Sequence, residues 1–360
     1  GQRDFHFTDD ENLGYYKSIE FRSEGQPMDF EYANMGGRKN KEIVYLKLDK
    51  ALPPNSKALI TVDYNIKLPY AFDRPGFKGE LYRITQWYPK PAVYDAGGWH
   101  PMSYLSLGEF YSEFGDYNVE INVPLSFSIA STGSQIEDSS SLDLENRRRT
   151  IFVEAEKVHD FAWFASDSYL PFQESLELED RSIDIQLFVK ETNTNWQQAF
   201  ELAKRALSFF SEELMTYPYP QLSIVESGDD DGSGMEYPMI TILDMAQGKQ
   251  ALDHLIAHEL AHQWFYGILA SNERDNAWID EGLASFYDDK YEKRYYEQSE
   301  EDKMINEALG GVNKRSYQLP LKAVLHLQRT GFHKSIADSS RDADVLNYLA
   351  SNYVAAPEGY

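Results

Sequence analysis

At 360 residues the chain is long enough for two or three domains, and a 42% hydrophobic content can fill real cores. Its 59 acidic against 34 basic residues, a formal charge of -25, would repel nucleic acid and anionic membrane surfaces while attracting cationic ligands and metal ions. The absence of cysteine excludes disulfides, iron-sulfur clusters and thiolate zinc sites, so any zinc must be held by nitrogen and oxygen.

The 25 tyrosines and 20 phenylalanines favour a β-rich architecture with aromatic-lined clefts over a helical bundle. No apolar run approaches the ~20 residues a membrane helix needs. The opening GQRDFHFTDDEN lacks the basic-then-apolar layout of a signal peptide. The acid clusters GDDDG and EQSEEDK read as solvated surface.

Residues 1 to about 170 read as strands separated by turns: EIVYLKLD, ALITVDYNIKL, YNVEINVPLSFSIAS and RTIFVEAEKV are rich in Val, Ile, Tyr and Phe and partly alternate. Among them lies an aromatic, Gly/Pro-rich segment, ITQWYPKPAVYDAGGWHPMSYLSLGEFYSEFGDY, too irregular for a helix and too hydrophobic for a solvated linker, which is expected to pack against something. From 195 onward Trp196, Phe200, Ala203, Leu207, Phe210 and Leu214 recur at steps of four and three, the mark of a long amphipathic helix whose stripe is core. Two strand-like pieces, QLSIVES and MITILD, then flank GDDDGSGMEYP. Helices follow at about 250–269 and 278–296, with no internal repeat and no low-complexity tract.

The first of these two helices carries HLIAHELAHQWFYG, in which His254, His258 and His262 stand one turn apart on one face. The sharper pattern uses the last two: His258-Glu259-Leu260-Ala261-His262 is H-E-x-x-H. In that pattern one helix presents two neutral imidazoles to zinc and the adjacent glutamate reaches a water on the metal. Catalytic zinc takes three protein ligands and leaves a fourth position for water, so a third donor is needed. Glu281, nineteen positions after His262 at the start of the next helix, can supply it if a short loop lays the two helices together. His254 is then surplus. His100 and His159 sit in aromatic surroundings that suit hydrogen-bonded core histidines, and His6, His326 and His333 carry no readable signal.

HELAHQWFYG followed by WIDEGLASF resembles the M1 gluzincin metallopeptidases, the aminopeptidase N and leukotriene A4 hydrolase family. The resemblance implies that His258, His262 and Glu281 bind one zinc ion per chain and that Glu259 is the general base. SGMEYP resembles the family's G-x-M-E-N motif, with Ser233 for the first Gly and Tyr237 for Asn. It implies substrate contacts from Gly234, Met235 and Glu236, the Glu236 carboxylate pairing with a protonated peptide N-terminus. Thr85-Gln86-Trp87-Tyr88 stands where the family has T-Q-x-[EQ], so Tyr88 offers a hydroxyl to the amine but no charge. For the oxyanion-stabilising tyrosine, LNYLASNYVAAPEGY offers Tyr348, Tyr353 and Tyr360, of which Tyr353 best fits the stretch leading into that motif in bacterial members.

The implied fold is multidomain: an N-terminal all-β, saddle-like sandwich domain over 1–175, followed by a thermolysin-like α+β catalytic domain over 176–360. The resemblance also leads to the expectation that the family's helical C-terminal domain is absent or truncated here. The implied function is a zinc aminopeptidase acting on peptide substrates, with no nucleic-acid partner and no membrane span. Two alternatives stand beside it: a zinc hydrolase of other selectivity, endopeptidase or epoxide hydrolase-like, and a non-catalytic peptide-binding module of the same fold. Similarity to bacterial members points to an extracytoplasmic setting, with a cytoplasmic one as the alternative.

Overall fold

The computed structural model describes residues 8–71, 74–104, 108–136, 141–190, 196–228, 233–244 and 248–296. The chain packs as two compact units, Gly1–Tyr104 and Leu105–Tyr360.

In the first unit β1 (Tyr15–Ser23) lies between β2 (Gln26–Met28) and β5 (Ile60–Lys67) in an antiparallel sheet. Strands β3 (Phe30–Met35) and β4 (Arg38–Leu46), β6 (Gly76–Lys78) and β7 (Leu81–Ile84), and β8 (Val93–Asp95) and β9 (Gly98–His100) form antiparallel pairs. The alternation read in ITVDYNIK shows as alternating half-buried and exposed positions along β5, as expected for a strand with one wet face. Glu24 and Gly25, both at positive φ, make the two-residue β1–β2 turn, whose mirror-image geometry suits the right-handed twist of the strands.

The aromatic Gly/Pro-rich segment differs in part from expectation. Val93 is buried, but Tyr94 and Trp99 project from the β8–β9 hairpin at 62% and 64% exposure. His100 is hydrogen-bonded as expected, 2.8 Å from Asp95 Oδ1, but on this exposed hairpin rather than in a core.

In the second unit β10 (Gly115–Pro124) pairs along its length with β14 (Arg148–Val158), which also carries β12 (Ser134–Gln135) and β13 (Ser141–Asp143). Strand β11 (Ser128–Ser131) pairs with β15 (Trp163–Ser166). A five-stranded sheet follows, in the order β16 (Leu170–Glu177), β17 (Ser182–Val189), β18 (Gln221–Glu226), β20 (Ile240–Leu243), β19 (Gly234–Met235). The boundary expected at 175 falls within β16. Strands β17, β18 and β20 run parallel, which requires a crossover between β17 and β18. Helix α1 (Ala199–Glu213) supplies it, burying Leu202, Ala203, Ala206, Leu207, Phe209 and Phe210. QLSIVE and ITIL are buried at every position, as parallel strands covered on both faces must be.

Helix α2 (Lys249–Phe265) carries the H-E-x-x-H pattern and is buried almost continuously from Ile256 to Phe265. It packs against α1 and against α3 (Glu281–Tyr295). Asp253 of α2 joins all three helices. Its fully buried carboxylate is ion-paired with Arg205 of α1, and it accepts hydrogen bonds from Tyr291 of α3 at 2.8 Å and from Tyr296 at 2.5 Å. No helix among the described residues is long and apolar enough to cross a membrane.

Candidate metal centre

Helix α2 presents His258 and His262 with their rings perpendicular and centroids 4.8 Å apart. Their Nε2 atoms are 3.3 Å apart. The chain leaves α2 at Tyr266, passes through the one-turn helix Glu273–Asn276 and the turn Ala277–Ile279, and enters α3 at Glu281. Glu281 Oε2 thereby lies 3.4 Å from His262 Nε2 and 3.7 Å from His258 Nε2. Tetrahedral zinc with bonds of about 2.0–2.1 Å needs donors about 3.3–3.4 Å apart, so this triangle is the right size for that ion.

A carboxylate stands behind each imidazole. His262 Nδ1 is hydrogen-bonded to Asp280, both side chains being fully buried, and His258 Nδ1 lies 3.7 Å from Asp288 Oδ2. The hydrogen bond to Asp280 sets the His262 tautomer that leaves Nε2 free toward a metal, while Asp288 supplies a negative charge behind His258.

Electrostatics agree with the geometry. Burial opposes charge on His258, yet Asp288 and Glu281 outweigh it and push its pKa up to about 10. Burial likewise opposes charge on His262, which Asp280 and Glu236 hold well above its ordinary value. Glu281, despite burial, is held below the carboxylate range by the two histidines. The triangle thus demands positive charge, met by protons in the metal-free chain and by a divalent cation in their place. Buried Glu281 Oε2 and Glu259 Oε2 find no hydrogen-bond donor among the described residues, and such orphans call for a missing partner. A set of two nitrogens and one carboxylate oxygen fits Zn2+.

Glu259 stands beside this triangle, buried, with its pKa raised by burial against the pull of His258 and His262. Its position depends on Gly234. A Cβ built on Gly234 would lie 2.4 Å from the Glu259 carboxylate carbon and from Oε1. The glycine of the S-G-M-E-Y run therefore makes room for the glutamate of H-E-x-x-H.

Strand β19, at the end of the sheet order, pairs Gly234 with Leu243 and Met235 with Ile242 on β20. Gln263 of α2 holds the turn that follows it, and Asp244 holds the residue that precedes it. Gln263, fully buried, accepts from Met239 N at 2.8 Å and donates to Tyr237 O at 3.0 Å. Asp244 accepts from Ser233 N and Oγ at 3.1 and 2.9 Å and from Ser227 Oγ. Glu236, next after β19, is buried. Burial raises its pKa well above the usual range, His262 opposes this, and Glu109, Glu259 and Asp280 add to it. A carboxylate so placed gains a counter-charge from any ammonium brought beside it.

Of the other residues singled out in the sequence, His159 is the buried structural histidine expected, 3.0 Å from Tyr266 O and edge-on to the rings of Phe114 and Tyr266. His254 stands outside the triangle. Tyr88 belongs to the first unit, 5.2 Å edge-on to Trp87 with Lys90 Nζ 5.8 Å from its ring. In the same motif Gln86 adopts a left-handed φ of 50°, uncommon for a residue with a side chain. Tyr348, Tyr353, Tyr360, His6, His326 and His333 lie outside the described residues. Sequence reasoning passed over Asp280, Asp288, Gln263, Asp253 and Asp244. Asp280 and Asp288 were findable, since one adjoins Glu281 and the other lies two helical turns beyond it.

A sheet ending in a short antiparallel strand, a helix bearing H-E-x-x-H and a following helix opening on a glutamate define a candidate two-histidine, one-glutamate metal centre. Comparison with known proteins narrows it. Residues 198–324 match the peptidase family M1 domain. Among curated proteins the chain is 25% identical over 185 residues to glutamyl aminopeptidase of Rattus norvegicus, covering 48% of this chain and 19% of that protein. It is 33% identical over 99 residues to aminopeptidase N of Lactobacillus helveticus, covering 24% of this chain and 12% of that protein. The chain thus matches less than a fifth of the length of these relatives.

Among solved structures, an M1 zinc metallopeptidase from Deinococcus radiodurans has a TM-score of 0.61 at 13% identity, covering 96% of this chain and 82% of its own. A two-domain M1 zinc metallopeptidase bound to L-arginine has a TM-score of 0.59 at 14% identity, covering 95% of this chain and 71% of its own. Residues 198–324 thus resemble a peptidase family M1 domain, and the fold, an all-β region followed by a mixed α/β part, is similar to that of the two-domain M1 zinc metallopeptidases.

Proposed function

We propose that this chain is a zinc-dependent aminopeptidase that removes N-terminal residues from peptides with water as the nucleophile. One observation carries the proposal: a zinc-sized donor triangle of His258, His262 and Glu281 adjoins Glu259, with the buried carboxylate of Glu236 just after the neighbouring strand β19. Zn2+ held there would act as a Lewis acid on the scissile carbonyl and lower the pKa of water.

The chain's own residues do the rest. The peptide adds its main chain along the free side of β19, in the manner of an extra strand, at Gly234 and Met235. Glu236 pairs with the substrate ammonium and so sets the cut one residue in. Glu259 accepts the proton of the attacking water and delivers it to the departing amine, a role suited to a carboxylate whose pKa burial has raised. Tyr353 is assigned the hydrogen bond to the oxyanion, and Tyr88 an uncharged contact to the amine, both on the resemblance. The division into a β domain over 1–175 and a catalytic domain over 176–360, and an extracytoplasmic setting, belong to the same proposal.

Free and N-acetylated versions of one peptide test it. An aminopeptidase cleaves only the free amine, and Glu236→Gln raises KM for that substrate. Equal cleavage of both forms supports the endopeptidase reading, and an inert, zinc-loaded protein supports the binding module.

A further inference from the structure

His254, one turn before His258 on α2, takes no part in the donor triangle. Its Nδ1 nevertheless lies 3.3 Å from Asp288 Oδ1 and 3.3 Å from Glu292 Oε1, both on α3. Asp288 is buried, and its second oxygen, Oδ2, lies 3.7 Å from His258 Nδ1. One carboxylate is thus divided between two histidines of the same helix face, one inside the candidate centre and one outside it. An aspartate side chain has only two torsions, so an ion pair at Oδ1 constrains where Oδ2 points. Glu292, one turn beyond Asp288, approaches the same Nδ1.

We propose that His254 is a positioning residue for the metal centre: paired with Asp288 and Glu292, it locks the carboxylate that orients His258. The proposal rests on reading the triangle as a zinc site. The two carboxylates push the His254 pKa up to about 10, which keeps it cationic at neutral pH. A plain ion pair tying α2 to α3 at a half-exposed site would matter little to stability and not at all to the metal.

The experiment is chelator competition at neutral pH on the full chain, comparing parent, His254→Leu and His254→Lys, with metal-free melting temperatures recorded alongside. Removing an outer-shell partner costs about 10–100-fold in metal affinity, and His254 acts one residue further out. His254→Leu is therefore expected to bind zinc about 5–10-fold more weakly, His254→Lys within about 2-fold of the parent, with metal-free melting unchanged. Equal affinity in all three, equal loss in both variants, or a loss matched by lower metal-free melting overturns the proposal. If His254→Leu does not fold, Glu292→Gln takes its place: a smaller loss of affinity supports the proposal and none overturns it. A parent that binds no zinc fails the zinc reading itself, whereas a zinc-binding parent with unaffected variants fails the His254 role alone.

Discussion

The Glu259 carboxylate occupies the space in which a side chain on Gly234 would begin, 2.4 Å from that glycine's ideal Cβ position. Gly234→Ala must therefore move either β19 or Glu259. Misplacing a reacting group by about 1 Å costs on the order of 10²-fold in rate. Gly234→Ala is expected to lose about that much kcat while keeping its zinc content, measured by steady-state kinetics and metal analysis. Unchanged kcat would show that Glu259 need not stay where it is.

Gln263 holds Met239 N and Tyr237 O through a single buried amide. Replacing it by leucine leaves the buried Met239 N–H unpaired, at about 1–3 kcal/mol, while Tyr237 O keeps its hydrogen bond from Ile240 N. Denaturant unfolding of Gln263→Leu is expected to show a loss of about 1–3 kcal/mol. A loss below about 0.5 kcal/mol would mean that β19 is held by other contacts.

Asp253 is a fully buried carboxylate whose partners lie on α1, on α3 and just beyond α3. Truncation removes one side of a buried pair and strands the other, a change worth about 3–5 kcal/mol. Asp253→Ala should lower stability by that order. A thermal midpoint equal to the parent's would contradict the network.

Tyr64, Tyr219 and Tyr296 each have a hydroxyl pKa pushed up to about 12, chiefly by burial. A folded-state pKa above the unfolded value means that stability is complete below the unfolded value, near 10, and declines as pH rises through the folded one. Stability is therefore expected to fall between about pH 10 and 12, with phenolate absorbance appearing as the protein unfolds. Full phenolate absorbance near pH 10 with the fold intact would contradict this.

Much of the site was legible because its chemistry is local in sequence. His258 and His262 share a helix face at a spacing of four, and Glu281 opens the next helix, so the triangle needed only a short connection. The stripe on α1 and the apolar runs of β18 and β20 gave away the core in the same way. What stayed hidden depends on contacts across the fold. Nothing in the one-dimensional pattern pairs Gln263 with Met239 or Asp253 with Arg205, because a buried amide or carboxylate looks like a surface residue until its partners are placed. The exposure of Tyr94 and Trp99 escaped for the opposite reason: composition marks aromatic side chains as core, and a hairpin projecting them outward leaves no trace in composition.

The most direct test is diffraction at the zinc absorption edge from crystals of the zinc-loaded chain. A single anomalous peak about 2.0–2.2 Å from His258 Nε2, His262 Nε2 and a Glu281 oxygen is the expected result. A folded, zinc-containing chain with Glu281 outside bonding range of the ion would contradict the account.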